Sequence, residues 1–128
     1  DVYKRQALKG AKDPIKEFTK KFNRNPFFKG IVNDIKKIRK FETKFDPTTI
    51  KKLGMACSYP GTFNSSIYTI INSKNYKDAI LKTIKAGGCN CSRANFVGAY
   101  FASLKGINSI PKSWIKKTIP ANKILNQK

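Results

Sequence analysis

Apolar residues recur at helical spacing along most of the chain, and the stripes begin or end at recognisable signals. Asp13-Pro14 places an N-cap carboxylate before proline at the first helical position, and Ile15, Phe18 and Phe22 follow on one face. Asn25-Pro26 breaks that helix. Phe28, Ile31, Val32, Ile35 and Ile38 then share a face, with Lys29, Lys36, Lys37 and Lys40 opposite. Those lysines read first as a solvated surface and second as a binding stripe. Asp46-Pro47 opens a segment in which Ile50, Leu53 and Cys57 form a short stripe interrupted by Gly54. Tyr59-Pro60-Gly61 predicts a turn, and Phe63, Ile67, Ile70 and Ile71 another helix. Asn75 caps a helix carrying Tyr76, Ile80, Thr83 and Ile84, which stops at Gly87-Gly88. Asn90 or Ser92 caps the next, terminated by Gly106, and Pro111 starts a last short helix with Trp114 and Ile115.

The stretch from Arg93 to Leu104 has almost no polar face. Phe96, Val97, Tyr100, Phe101 and Leu104 alternate with Ala94, Gly98, Ala99 and Ala102, the pattern of a helix buried on all sides. Gly98 and Ala102 are small enough to admit a neighbouring backbone. No strand alternation and no internal repeat interrupts the helical pattern. The expected fold is all-α, a partial bundle of about six or seven short helices belonging to a larger one.

Composition narrows the chemistry. The chain has 128 residues, 40% of them apolar and 12% aromatic, enough for a packed core in one domain. No apolar run approaches the roughly 20 residues of a membrane span. Histidine is absent, which removes Ser-His-Asp and Cys-His catalysis and Cys/His zinc sites. The formal charge is +20, from 27 basic and 7 acidic residues. All but Arg5, Arg24, Arg39 and Arg93 of those basic residues are lysines, and they are scattered. With abundant isoleucine and asparagine, this reads as A/T-rich coding bias before it reads as a selected polyanion surface. Nucleic acid is therefore not the expected partner. Asp78 is the lone acid after Asp46, so the second half cannot build a carboxylate pair by itself. Cys57, Cys89 and Cys91 form an odd set without a visible signal peptide, which fits a reducing, cytoplasmic setting.

Residues 1–6, Asp-Val-Tyr-Lys-Arg-Gln, look like the in-frame translation of a transposase adapter used in library preparation. The domain is then expected to occupy residues 7–128, as one part of a longer parent.

Ala86 to Ala94, reading Ala-Gly-Gly-Cys-Asn-Cys-Ser-Arg-Ala, carries the most chemical content. One helix ends at two glycines, and another begins at once. Free N–H groups and the positive end of the second helix's dipole converge there, which suits an anion. The same field would lower the pKa of a thiol placed in it, Cys91 in particular. Four readings stay open at this level: a tight connection with Cys89 and Cys91 packed as small apolar groups; a soft-metal site with the distant Cys57; a Cys-x-Cys redox pair; and a ligand-lining loop.

Residues 57–118 resemble the C-terminal part of ADP-ribosylglycohydrolases. The resemblance rests on the Tyr59-Pro60-Gly61 turn, the Gly87-Gly88 loop followed by Ser92, the apolar helix ending at Gly106, and Ile110-Pro111 with Trp114. It implies an all-α bundle and cleavage of a glycosidic bond of ADP-ribose, assisted by two magnesium ions. The family's Gly-Gly motif normally continues Asp-x-Asp-Thr, while the branch that includes the J1-crystallins reads closer to Gly-Gly-Asp-Asn-x-Ser-Arg. Carried over residue by residue, Cys89 and Cys91 take the two aspartate positions and Ser92 the threonine position. Gly87, Gly88, Asn90 and Arg93 would line the ligand. ADP-ribose or an ADP-ribosylated substrate becomes the expected ligand of the parent, whose N-terminal half would supply the remaining metal acids. Sulfur at both acid positions is a poor match for magnesium, so this chain is expected not to retain the ions and to be inactive alone.

Overall fold

The computed structural model describes residues 9–41 and 44–126, so the residues resembling an adapter translation lie outside it. Helices α1 (Pro14–Phe22), α2 (Lys29–Arg39), α3 (Pro47–Leu53), α4 (Gly61–Ile71), α5 (Tyr76–Ala86), α6 (Asn90–Lys105), α7 (Lys112–Lys117) and α8 (Ala121–Leu125) follow in order. Single 3-10 turns occupy Pro26–Phe28 and Ile107–Ser109. No strand occurs among the described residues, and no helix there is long and apolar enough to cross a membrane.

Local chemistry sets most boundaries. Asp13, Asp46 and Asn75 each accept a backbone N–H of the helix they precede, from Lys16, Thr48 and Asp78 respectively. Gly54, Gly87 and Gly106 end α3, α5 and α6 with positive φ, which a side chain would resist. Ile15, Phe18, Val32, Ile35 and Ile38 turn inward, while Lys29, Lys36, Lys37 and Lys40 stay in water. A second link between α1 and α2 is ionic, Arg39 Nη2 to Asp13 Oδ2 at 3.1 Å.

Helix α4 is the pivot, meeting α2, α3, α5 and α6, and residues Ser65 to Ile70 are all buried. Two of its polar members bond back along the helix, while Ser66 Oγ is buried without a hydrogen-bond partner. Ser65 Oγ donates to Gly61 O at 2.8 Å, and Thr69 Oγ1 to Ser65 O at 2.8 Å. Tyr68 reaches back to the segment before α3, accepting the Asp46 N–H at 2.9 Å, and its ring stacks on Phe45. Helix α6 packs mainly on α5 and α4.

Several expectations need correction. Cys57 is not part of the α3 stripe: the helix ends at Gly54 and Cys57 is exposed in the loop beyond it. Helix α6 is buried along one side, through Arg93, Val97, Gly98, Tyr100 and Phe101, while Ala94, Phe96, Ala99, Ala102 and Leu104 are half-buried. Gly98 faces the Tyr76 ring and Ile80 side chain, not a backbone. Helix α8 follows Pro120 with no apolar stripe long enough to announce it.

The Asp46 cap makes stability pH-dependent. The Thr48 hydroxyl and then the Thr48 N–H donate to its carboxylate and hold its pKa below the ordinary 3.8. A group depressed in the folded state contributes above its unfolded pKa and loses that contribution as pH falls through the folded one. Urea midpoints should therefore drop below about pH 4 and do so less in Asp46→Asn, whose amide still caps. Equal acid slopes for the two proteins would remove Asp46 from the cause.

Candidate functional site

The Gly-Gly loop is built by two left-handed glycines. Gly87 has φ +73° and Gly88 φ +69°, and the pair reverses the chain between α5 and α6. Gly88 also has no room for a side chain: a Cβ there would sit 2.8 Å from Met55 Cβ and 2.9 Å from Met55 O. That close approach lets Cys89 N–H donate to Met55 O at 2.9 Å, so the loop after α3 lies directly against this one.

Arg93 locks the turn from inside. Among the described residues it is the largest fully buried side chain, at 1% exposure, and its Nη2 donates to Thr83 O at 3.1 Å, to Asn90 Oδ1 at 3.0 Å and to Gly87 O. The reason lies at the end of α5. Gly87 N–H turns to Ile84 O, so the Thr83 carbonyl is left without its usual helical donor. A guanidinium placed there supplies that donor and faces the negative end of the α5 dipole. Burial holds its pKa below the usual arginine value, an effect that the neighbouring Cys89 opposes. Its Nε is buried without a hydrogen-bond partner.

Helix α6 begins at Asn90, with Cys89 at the cap position and no side-chain cap. Neither Asn90 nor Ser92 caps it, contrary to expectation, because Asn90 turns to Arg93 and Ser92 lies within the first turn beside Cys89. Cys89 Sγ and Ser92 Oγ are 3.2 Å apart. The thiol with a lowered pKa is Cys89: hydrogen bonds from the Ser92 side chain and N–H outweigh partial desolvation, and Cys57 and Arg93 add to them. Cys91 is exposed in the same turn.

The structure thus gathers Gly87, Gly88, Cys89, Asn90, Ser92 and Arg93 in one turn. Arg93 faces inward to hold the loop, and Cys91 faces out. Thr83, Met55 and Cys57 belong to the same region, yet sequence reasoning missed the first two and left Cys57 distant. Met55 and Cys57 arrive by packing of a segment far away in the chain, and Thr83 is marked only by the Arg93 guanidinium that reaches it from the next helix. A cavity of about 570 Å³ at the opposite end of α5 and α6, lined by Asp13, Arg39, Lys74, Tyr76, Tyr100 and Lys105 among others, includes none of the candidate residues.

Donor chemistry decides the fit to magnesium. The loop offers two sulfurs and one hydroxyl where magnesium takes hard oxygen ligands in near-octahedral geometry. The Cys89 sulfur is already engaged with Ser92 Oγ. These residues do not fit the ion.

Comparison with known proteins agrees with the resemblance. Crystallin J1A of Tripedalia cystophora is 37% identical over 76 residues, covering 59% of this chain and 24% of the crystallin. Crystallin J1B of the same animal is 30% identical over 76 residues, with the same coverage. The matched stretch thus spans about a quarter of the length of these curated relatives. No solved structure matches significantly. The sequence model of the ADP-ribosylglycohydrolase family matches residues 3–126, nearly the whole chain, and the all-α architecture agrees with that fold. The chain belongs to the ADP-ribosylglycohydrolase family.

Proposed function

We propose that this chain forms one wall of an ADP-ribose pocket in an ADP-ribosylglycohydrolase-like parent, and that the wall has lost its grip on magnesium. The observation that carries the reading is a rigid Gly-Gly loop bearing Cys89 and Cys91 at the positions that the family resemblance assigns to metal-binding aspartates. Gly87, Gly88 and Asn90 line the pocket at the start of α6, a 16-residue helix whose first N–H groups favour a phosphate. Arg93 acts as a positioning residue, holding the loop through Gly87 and Asn90. The ligand is ADP-ribose or an ADP-ribosylated group, and the rest of the pocket comes from the remainder of the parent. Two sulfurs in place of two carboxylates remove the charge that holds a pair of dications, so the usual hydrolysis is absent.

A second reading is favoured by the similarity to crystallins J1A and J1B. In it, the bundle serves as a structural protein with no ligand.

Isothermal titration of ADP-ribose into the full-length parent, with and without Mg²⁺, separates the outcomes. The proposal expects binding that Mg²⁺ leaves unchanged, with no release of free ADP-ribose from modified substrates. Hydrolysis that requires Mg²⁺ overturns the lost grip. Absence of binding in both conditions overturns the pocket and leaves the structural reading.

A further inference from the structure

We propose that Cys57 and Cys89 form an oxidisable dithiol, a site where a small-molecule disulfide writes a reversible cross-link between the loop after α3 and the Gly-Gly loop. Nothing in the resemblance places these two residues together. The packing does. Met55 O accepts the Cys89 N–H at 2.9 Å, and Gly88 has a hydrogen where a Cβ would strike Met55 Cβ at 2.8 Å. The backbone at Met55 and the backbone at Cys89 therefore run side by side, and Cys57 follows Met55 by two residues. Across this contact Cys57 acts on Cys89, adding to the Ser92 hydrogen bonds that lower its pKa. Both are free thiols; Cys57 is exposed and Cys89 half-exposed, so a small reagent can enter from solvent.

Cys91 is the competitor by sequence and the weaker partner by geometry. It sits inside the first turn of α6, two residues from Cys89, where a Cys-x-Cys ring would have to distort helical backbone. Among the described residues, no three His, Cys, Asp or Glu side chains converge on one point, so Cys91 does not join the pair in a ligand set.

With oxidised glutathione as the reagent, the exchange balances without further partners. The exposed Cys57 sulfur attacks one glutathione sulfur, breaking the S–S bond and releasing one glutathione thiolate, which takes up a proton. Cys89 then attacks Cys57 Sγ of the mixed disulfide, forming the Cys57–Cys89 bond and releasing the second glutathione. Two protein thiols are oxidised, one disulfide is reduced, and two glutathione molecules leave. In a reducing compartment such a bond is transient and reports the glutathione balance. Closed, it ties the Gly-Gly loop to the loop before α4; open, that tie is the Cys89–Met55 hydrogen bond and packing alone.

The test treats the full chain with oxidised glutathione under native conditions, blocks remaining thiols with an alkylating agent, and maps peptides by mass spectrometry. The expected result is a peptide joining Cys57 to Cys89, loss of two of the three free thiols, and an alkylated Cys91. Dithiothreitol should restore all three. Cys91→Ser should leave the cross-link yield unchanged, and the same treatment in denaturing urea should scramble the pairing. A Cys89–Cys91 or Cys57–Cys91 product under native conditions overturns the proposal, as does glutathione held at Cys57 with no cross-link.

Discussion

Arg93→Met is expected to cost the fold about 3–5 kcal/mol, a large share of what a domain of this size has available. The side chain is 1% exposed and is bonded to Thr83 O, Gly87 O and Asn90 Oδ1. Methionine fills much of the volume but donates nothing. The buried Thr83 carbonyl would stay unpaired at about 1–3 kcal/mol, and the part-buried Gly87 carbonyl would lose its donor as well. The guanidinium has no carboxylate partner among its hydrogen bonds, so its removal leaves no buried anion behind, and this holds the loss to that range. Arg93→Lys keeps the charge but not the reach of a planar fork, and it should fall between the two proteins. Urea unfolding followed by far-ultraviolet circular dichroism reads all three. A shift for Arg93→Met within about 1 kcal/mol of the parent sequence would show that the helix end is satisfied without the guanidinium.

The second large effect concerns glycines, and its force lies in a contrast. Gly54→Ala and Gly88→Ala should each lose about 2–4 kcal/mol, while Gly106→Ala loses only about 1 kcal/mol. All three have positive φ, at +116°, +69° and +66°, so each alanine carries a backbone penalty. The surroundings differ. A Cβ on Gly54 would sit 2.6 Å from Gly61 Cα, and one on Gly88 would sit 2.8 Å from Met55 Cβ and 2.9 Å from its carbonyl oxygen. In both cases the obstacle includes backbone, which cannot swing aside as a side-chain tip can. A Cβ on Gly106 meets nothing within 4 Å. Relief at Gly88 would separate the two loops, so Gly88→Ala should also reduce the Cys57–Cys89 cross-link, while Gly106→Ala leaves it intact. Equal losses at Gly88 and Gly106 would mean that Met55 gives way freely and that the loops are not wedged together.

Much of the architecture could be read before any coordinates. Asp13, Asp46 and Asn75 cap the helices they were expected to cap, and the lysines of α2 stay in water as its periodicity implied. Gly87 and Gly106 end helices where expected, and the resemblance drawn from residues 57–118 agrees with the family match. These signals act within about four residues, the span over which a cap, a proline or an apolar repeat exerts its effect. The start of α6 was read less well. Both candidate caps were plausible by type, yet Asn90 is drawn to the Arg93 guanidinium and Ser92 to the Cys89 sulfur.

The chain by its own composition and order determined an all-α domain, most of its helix ends and the tight turn at Gly87-Gly88. Packing alone decided which way Arg93 points, which carbonyl of α5 lacks a donor, and that Met55 and Cys57 arrive beside Cys89. The Arg93 contacts cross between consecutive helices, and the Met55 contact joins segments 34 residues apart, so both depend on how the helices dock. Spacing along a chain specifies neighbours on one helix; only the docking of helices specifies neighbours across them.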